Sequence, residues 1–312
     1  RAALGSARLD RAKRSKKNGF VPISFVDCDL TESVGTYNFG KEYPNNFFEA
    51  GIQEHHTATC AGALSTCGIL TFFADFGVFG IDETYNQHRL NDINYTNLKL
   101  VCTHLGVDVG EDGKTHHCID YIGVLMNLYG YKIIIPADPN QMDSVIRFVA
   151  KEKGNFMIGM GRSKVKIIRK EDGSIYYGKD YRFEYGKADL IRDGDRGAVI
   201  SYGSILWRAL DVIDRLREEG IYVQLWNFPT PKALDEEALE KAAKTGFIVV
   251  YEDHNVHTGL GQIIASKLVD MGITVRLKRM GVGNYAPSGK PGDILKLLGI
   301  DEESLYKVCL LY

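Results

Sequence analysis

Residues 46–66 read NFFEAGIQEHHTATCAGALST. Asn46 to Ala50 has the apolar density of a short strand, Gly51 allows a tight turn, and Ile52 to Thr66 has the composition of a helix. Glu54 therefore falls in the first turn of a helix just beyond a strand end, the place where open α/β sheets bind ligands. A carboxylate there also complements the helix dipole, so position alone leaves a chemical reading and a merely favourable one side by side. The helix is rich in small residues, Ala58, Ala61, Gly62, Ala63 and Ser65, which let another backbone approach closely and predict a subunit contact along it.

The same alternation runs outward in both directions. Strand-like runs at Pro22 to Val26, Leu98 to Cys102, Lys132 to Ile135 and Phe156 to Gly159 are separated by helical stretches, which argues for a mostly parallel sheet with helices on both faces. After Arg162 the pattern breaks. Ser163 to Arg182 is charged and Tyr-rich and carries the turn signal Glu171-Asp172-Gly173, as expected of a connecting segment with a hairpin of its own. A second series follows: strand Gly197 to Ser201, helix Ile205 to Glu219, strand Tyr222 to Asn227, helix Asp235 to Lys244, strand Phe247 to Tyr251, helix Gly259 to Met271 and a last strand Thr274 to Lys278. The expected fold is α/β, two doubly wound domains with mostly parallel sheets. Residues 1–185 form the first, including a linker at 163–185, and residues 186–312 the second.

The 312 residues carry a formal charge of -2, with 45% hydrophobic and 25% charged residues, so nothing biases the surface toward nucleic acid or anionic lipid. Small metabolites are the expected partners. No apolar run approaches the roughly 18 to 20 residues needed to span a bilayer, and the basic stretch Arg8 to Lys17 is not followed by an apolar signal core. A cytoplasmic location is expected. Six cysteines stand singly with no CxxC pair, which suits reduced thiols.

Three segments carry a family likeness. Phe48 to His55 (FEAGIQEH), Leu70 to Arg89 (LTFFADFGVFGIDETYNQHR) and Val101 to His117 (VCTHLGVDVGEDGKTHH) resemble the cofactor and substrate segments of transketolases. The resemblance places Glu54 as the carboxylate that shares a proton with the pyrimidine ring nitrogen of thiamine diphosphate, buried from water. It places Phe76 and Phe79 against the aminopyrimidine, where an aromatic wall binds a flat heterocycle and keeps water away. It assigns His104 and Asp112 to the sugar hydroxyls, and His116 to the cofactor and the reacting carbonyl, imidazoles being suited to a reaction that moves protons among hydroxyls, and it names Glu54, His104 and His116 as the catalytic groups. His104, His116, His117 and Cys118 match no common zinc spacing, and no residue is assigned to a metal.

The edges of the domain extend the likeness. Arg1 to Gly5 fits the family's opening helix, Asp27 to Ser33 a strand end that contributes a serine, and Gly161-Arg162-Ser163 a strand end that contributes an arginine. Arg1, Ser33 and Arg162 together imply a clamp for the substrate's terminal phosphate. Ala286 to Asp301 (APSGKPGDILKLLGID) resembles the end of the transketolase C-terminal domain. That domain contributes no residue assigned to catalysis, and Glu252-Asp253-His254 reads as a structural feature near a strand end.

Transketolases carry a further N-terminal domain whose GDG motif and a later Asn hold Mg²⁺ and the diphosphate, and this sequence contains no GDG. It is therefore either a fragment or one half of a split enzyme. The split reading implies an N-terminal partner subunit that carries the GDG motif, in a heterotetramer, transferring a two-carbon ketol unit from a ketose phosphate to an aldose phosphate. The rival readings are half of a 1-deoxyxylulose-5-phosphate synthase, a 2-oxoacid dehydrogenase beta subunit, or a non-catalytic paralogue. Two departures from the pattern, His55-His56 and Asp82, bear on substrate preference more than on reaction type.

Overall fold

The computed structural model describes residues 22–311. Arg1, the expected opening helix and the basic stretch lie outside them. The first unit runs β1 (Ile23–Asp27), α1 (Tyr37–Glu42), β2 (Phe47–Glu49), α2 (Glu54–Thr66), β3 (Leu70–Phe76), α3 (Tyr85–Ile93), β4 (Lys99–Thr103), α4 (Tyr121–Met126), β5 (Lys132–Ile134), α5 (Pro139–Val149) and β6 (Phe156–Gly159). Its strands lie in the order β2-β1-β3-β4-β6-β5, every pair parallel. A parallel sheet covered on both faces reads as continuous apolar sequence rather than alternation. Accordingly, all five residues of β1 and all seven of β3 are buried.

The second unit runs β7 (Asp189–Arg192), β8 (Ala198–Ser201), α6 (Leu206–Glu218), β9 (Gln224–Asn227), α7 (Glu236–Ala243), β10 (Phe247–Asn255), α8 (Leu260–Asp270), β11 (Arg276–Val282), α9 (Pro291–Leu297) and α10 (Glu302–Leu311). Its order is β11-β10-β8-β9-β7, with β7 antiparallel to β9. The two α/β units agree with the sequence reading. β7 was not foreseen, because a four-residue edge strand opening on Asp and closing on Arg gives no apolar run. β11 continues four residues past its expected end, since this other edge strand exposes alternate charged residues while Met280 and Val282 are buried. The expected hairpin in the connector reduces to one antiparallel bridge, Arg169 to Ile175, around the Asp172-Gly173 turn.

One apolar cluster spans both units, joining Tyr121 and Leu125 to Tyr202, Trp226 and Leu260. The small residues of α2 serve the chain itself: Ala58, Ala61, Gly62 and Ser65 are buried, and Ala63 alone of the five is exposed. A Cβ on Gly62 would lie 1.9 Å from the Asn91 carboxamide oxygen of α3, whose Nδ2 donates to the Ala58 carbonyl. The stripe thus seats α3.

Candidate active site

The residues singled out in the first unit gather at the C-terminal edge of its sheet. Ser33 lies half-buried in the turn after β1, Glu54 follows β2, Phe76 ends β3, His104 follows β4 and Arg162 follows β6. Parallel strands deliver all their C-terminal ends to one edge, so separation in sequence becomes adjacency in space.

Glu54 is the first residue of α2 and is 8% exposed. The turn before it is pinned by Glu49, whose Oε1 accepts from the Asp29 N–H at 2.9 Å and the Gly51 N–H at 2.7 Å. Behind Glu54 lie Cys28, just past β1, and Asp75 of β3. One donor atom from each of these three side chains lies within 4.8 Å of the others, the one such His/Cys/Asp/Glu group among the described residues. Asp75 Oδ1 accepts from the Phe76 N–H at 2.7 Å, and its buried Oδ2 has no hydrogen-bond partner. Burial, reinforced by the neighbouring Glu54 charge, pushes the Asp75 carboxyl up to about 8. Burial likewise pushes the Cys28 thiol to about 12, so it acts only as a donor, and Thr57 Oγ1 lies 3.3 Å from its Sγ.

A ring cluster covers the adjoining wall. Phe76 stacks on His104 at 3.6 Å between centroids, Phe76 and Phe79 are 6.1 Å apart, and Phe79 meets His116 edge-on at 5.3 Å. Phe79 sits in a π-helical turn, Val78–Glu83, a geometry that recurs at functional sites. His104 has φ +60, a left-handed conformation that costs a non-glycine residue of order 1 kcal/mol. Its Nδ1 lies 2.8 Å from Thr103 Oγ1, and the Phe76 stack holds the ring.

The loop after His104 carries the remaining polar groups. Arg162 donates to the Val109 carbonyl at 2.9 Å and to Glu111 Oε2 at 3.2 Å, and its Nε lies 4.0 Å from Asp112 Oδ2. Asp112 and Arg162 are therefore brought together, with Glu111 as a counterion the sequence reading did not include. Asp108 accepts from the Arg162 and Ser163 N–H groups at 3.0 Å each, tying loop to strand end. His117 is buried with neither ring nitrogen hydrogen-bonded, and burial lowers its proton affinity.

The second unit holds this loop from the other side. Val107 N–H donates to both carboxylate oxygens of Asp253, Ile122 N–H donates to His254 Nε2 at 3.1 Å, and Asn255 N–H donates to the Ile119 carbonyl at 2.8 Å. Gly106 has φ +82, and a Cβ there would lie 2.0 Å from Asp253 Oδ2. Glycine is therefore required on both counts. Glu252-Asp253-His254 is more than a local feature: it closes the interface between the two units.

Glu49, Cys28, Asp75, Asp108, His117 and Asp253 were not assigned roles from sequence. Asp75 alone gave a usable signal, an acid inside the otherwise apolar run LTFFADF.

With this geometry in place, comparison with known proteins assigns the class. Residues 22–166 match the transketolase pyrimidine binding domain and residues 186–305 the transketolase C-terminal domain. A putative transketolase C-terminal section from Methanocaldococcus jannaschii is 33% identical over 90% of this chain and 87% of its own length. The chain belongs to the transketolase family. One of the subunits of an apulose-4-phosphate transketolase from Actinobacillus succinogenes is 29% identical over 98% of this chain and 97% of its own. A solved structure described as a split gene transketolase, inactive beta4 tetramer, superposes with a TM-score of 0.86 at 26% identity, covering 99% of this chain and 96% of that one.

Proposed function

We propose that this chain supplies the pyrimidine-binding half of a thiamine diphosphate-dependent ketol transferase that moves a two-carbon unit from a ketose phosphate to an aldose phosphate. The observation that carries the reading is Glu54: a carboxylate shielded from water, with no side-chain hydrogen bond among the described residues, beside a wall of rings at the sheet's ligand-binding edge. An aminopyrimidine needs that pair of features, an apolar face to lie on and a carboxylate for its ring nitrogen. When bound, thiamine diphosphate supplies the carbon nucleophile and electron sink of the reaction.

This chain's residues then do the following. Glu54 holds a proton at the pyrimidine ring nitrogen. Phe76 and Phe79 bind the ring and exclude water. His104 and His116 exchange protons with the sugar hydroxyls and the oxygen of the reacting carbonyl. Asp112 accepts from a sugar hydroxyl, while Arg162 turns from Glu111 to the terminal phosphate, assisted by Ser33 and by Arg1 from outside the described residues. Mg²⁺ and the diphosphate are assigned to a partner subunit carrying a GDG motif, in a heterotetramer. An apolar surface on neighbouring elements of the first unit, with Ile52, Leu90, Ile93 and Tyr129 exposed, suits such a partner. The likeness to a component of an apulose-4-phosphate transketolase favours a second reading of the sugar pair alone, in which the acceptor or donor is an unusual sugar phosphate.

The test is co-purification with a GDG-bearing partner, followed by assay with thiamine diphosphate and Mg²⁺. Two-carbon transfer between sugar phosphates supports the reading. Pyruvate decarboxylation in its place would move the chain to the synthase or dehydrogenase class.

A further inference from the structure

Two buried carboxyls meet behind the cofactor edge, and only one of them has been given work. Asp75 is 0% exposed, ends no hydrogen bond at Oδ2, and lies beside Glu54 in the group that also contains Cys28. Neither Asp75 nor Glu54 forms an ion pair with Lys, Arg or His among the described residues. Two carboxylates this close in a dry pocket do not both ionise without a counterion, so a proton is the cation that neutralises them.

The neighbours say where that proton resides. Asp27, also buried, is satisfied as an acceptor by the hydroxyls of Thr36 and Thr31. The Cys28 thiol stays protonated and can only donate, and buried Cys102 stays protonated as well. What remains is the Asp75–Glu54 pair.

Resting on the reading of Glu54 above, we infer that Asp75 is a positioning residue: its carboxylic acid, within 4.8 Å of Glu54 though not hydrogen-bonded to it in this structure, closes onto Glu54 when the cofactor site is filled and shares its proton there, fixing one Glu54 oxygen inward so that the other faces the crevice as an acceptor. A structural role alone accounts poorly for the residue. Its carboxyl meets only the adjacent Phe76 N–H and the weakly donating Cys28 thiol, and an apolar side chain would fill the interior of β3 without the cost of an unpaired oxygen. As a proton partner it has a purpose at that site. Held in this way, the outward oxygen of Glu54 would be the acceptor for a pyrimidine ring N–H when the cofactor is bound.

The test uses Asp75→Asn and Asp75→Ala. Asn keeps an acceptor for the Phe76 N–H and a donor for Glu54 but cannot titrate; Ala removes the donor. In the reconstituted enzyme, wild-type kcat/KM should decline on the alkaline side near pH 8. Asp75→Asn should keep activity at pH 7 and lose that decline, and Asp75→Ala should fall about 10- to 100-fold, the loss of one hydrogen bond to a charged group. An alkaline limb unchanged in Asp75→Asn, or full activity in Asp75→Ala, would overturn the inference.

A second measurement needs no activity. A carboxyl protonated in the fold and ionised when unfolded costs stability progressively as pH rises from about 4 to its folded value. The thermal midpoint of this chain carrying Asp75→Asn should therefore gain on wild type from pH 5 to pH 8 and then level off. Glu54→Gln should move the levelling point downward, because it removes the neighbouring charge. A gap independent of pH sinks the proton pairing even if ketol transfer is observed. A widening gap without ketol transfer leaves the pairing standing and removes the proposed reaction.

Discussion

The N–H of Val107 donates to both carboxylate oxygens of Asp253, at 2.9 and 3.1 Å, across the boundary between the two α/β units. The unit without an assigned catalytic group thereby sets the position of the loop that carries His104 and Asp112. Asp253→Ala would leave that N–H buried and unpaired, at a cost of about 1–3 kcal/mol. The expected result is a raised KM for sugar phosphates with little change in thiamine diphosphate affinity, read from steady-state kinetics and cofactor titration. An equal loss in both would show a general collapse of the crevice.

Replacing Glu54 by Gln should reduce turnover by at least about 10²- to 10⁴-fold, the range for a positioned proton-transfer group. Because Glu54 makes no side-chain hydrogen bond among the described residues, circular dichroism and partner co-purification should be unchanged. Turnover like wild type in the reconstituted variant contradicts the assignment.

Arg162→Ala should penalise phosphorylated sugars by about 10- to 100-fold in kcat/KM relative to free sugars, as expected for one charge-assisted contact. Its present partners, the Val109 carbonyl and Glu111, hold it within the loop ready to exchange. Parallel losses on both substrate types would remove it from the phosphate clamp.

His104→Asn tests the left-handed backbone, because Asn tolerates φ +60 better than other side chains. The variant should melt near the wild-type temperature, since relief of strain offsets the lost stack on Phe76, while ketol transfer falls steeply. A large drop in melting temperature would mean that His104 is there for packing.

Stability of the chain should decline from about pH 5 to pH 7.5. Burial holds seven carboxyls above their ordinary range among the described residues: Asp75 at about 8, Asp82, Glu252 and Asp253 at about 7, Asp189 at about 6, and Asp108 and Asp138 in the same direction. The native state keeps these protons where the unfolded chain has released them, so each fully protonated group costs about 1.4 kcal/mol per pH unit. His88 and His254, lowered to about 4, and Lys99, lowered to about 7, act in the opposite sense but are outnumbered. Thermal melts across this range check the sign, and a midpoint rising with pH would refute it.

Much of the architecture was legible because the hydrophobic pattern is local: β1, β4, β6, β8 and β9 and the helices between them follow from runs of apolar sequence. The convergence of Glu54, Phe76, His104 and Arg162 followed from strand ends sharing one edge. What escaped depends on long-range pairing. Asp253 contacts a loop 146 residues away, and no periodicity reports that. β7 owes its place to pairing with β9 rather than to its own four residues. The small residues of α2 were legible as a close approach, but which neighbour approaches is a tertiary fact.

Ile52 is 76% exposed and Tyr129 100%, with Leu90 and Ile93 also open to water. No helix among the described residues is long and apolar enough to cross a membrane. A chain produced without a counterpart should find the nearest substitute, its own twin, and elute from a sizing column as a multiple of one copy. On the proposed two-subunit reading, such homotypic pairing would compete with productive assembly, making the ratio in which the two halves are synthesised a control on how much working catalyst exists.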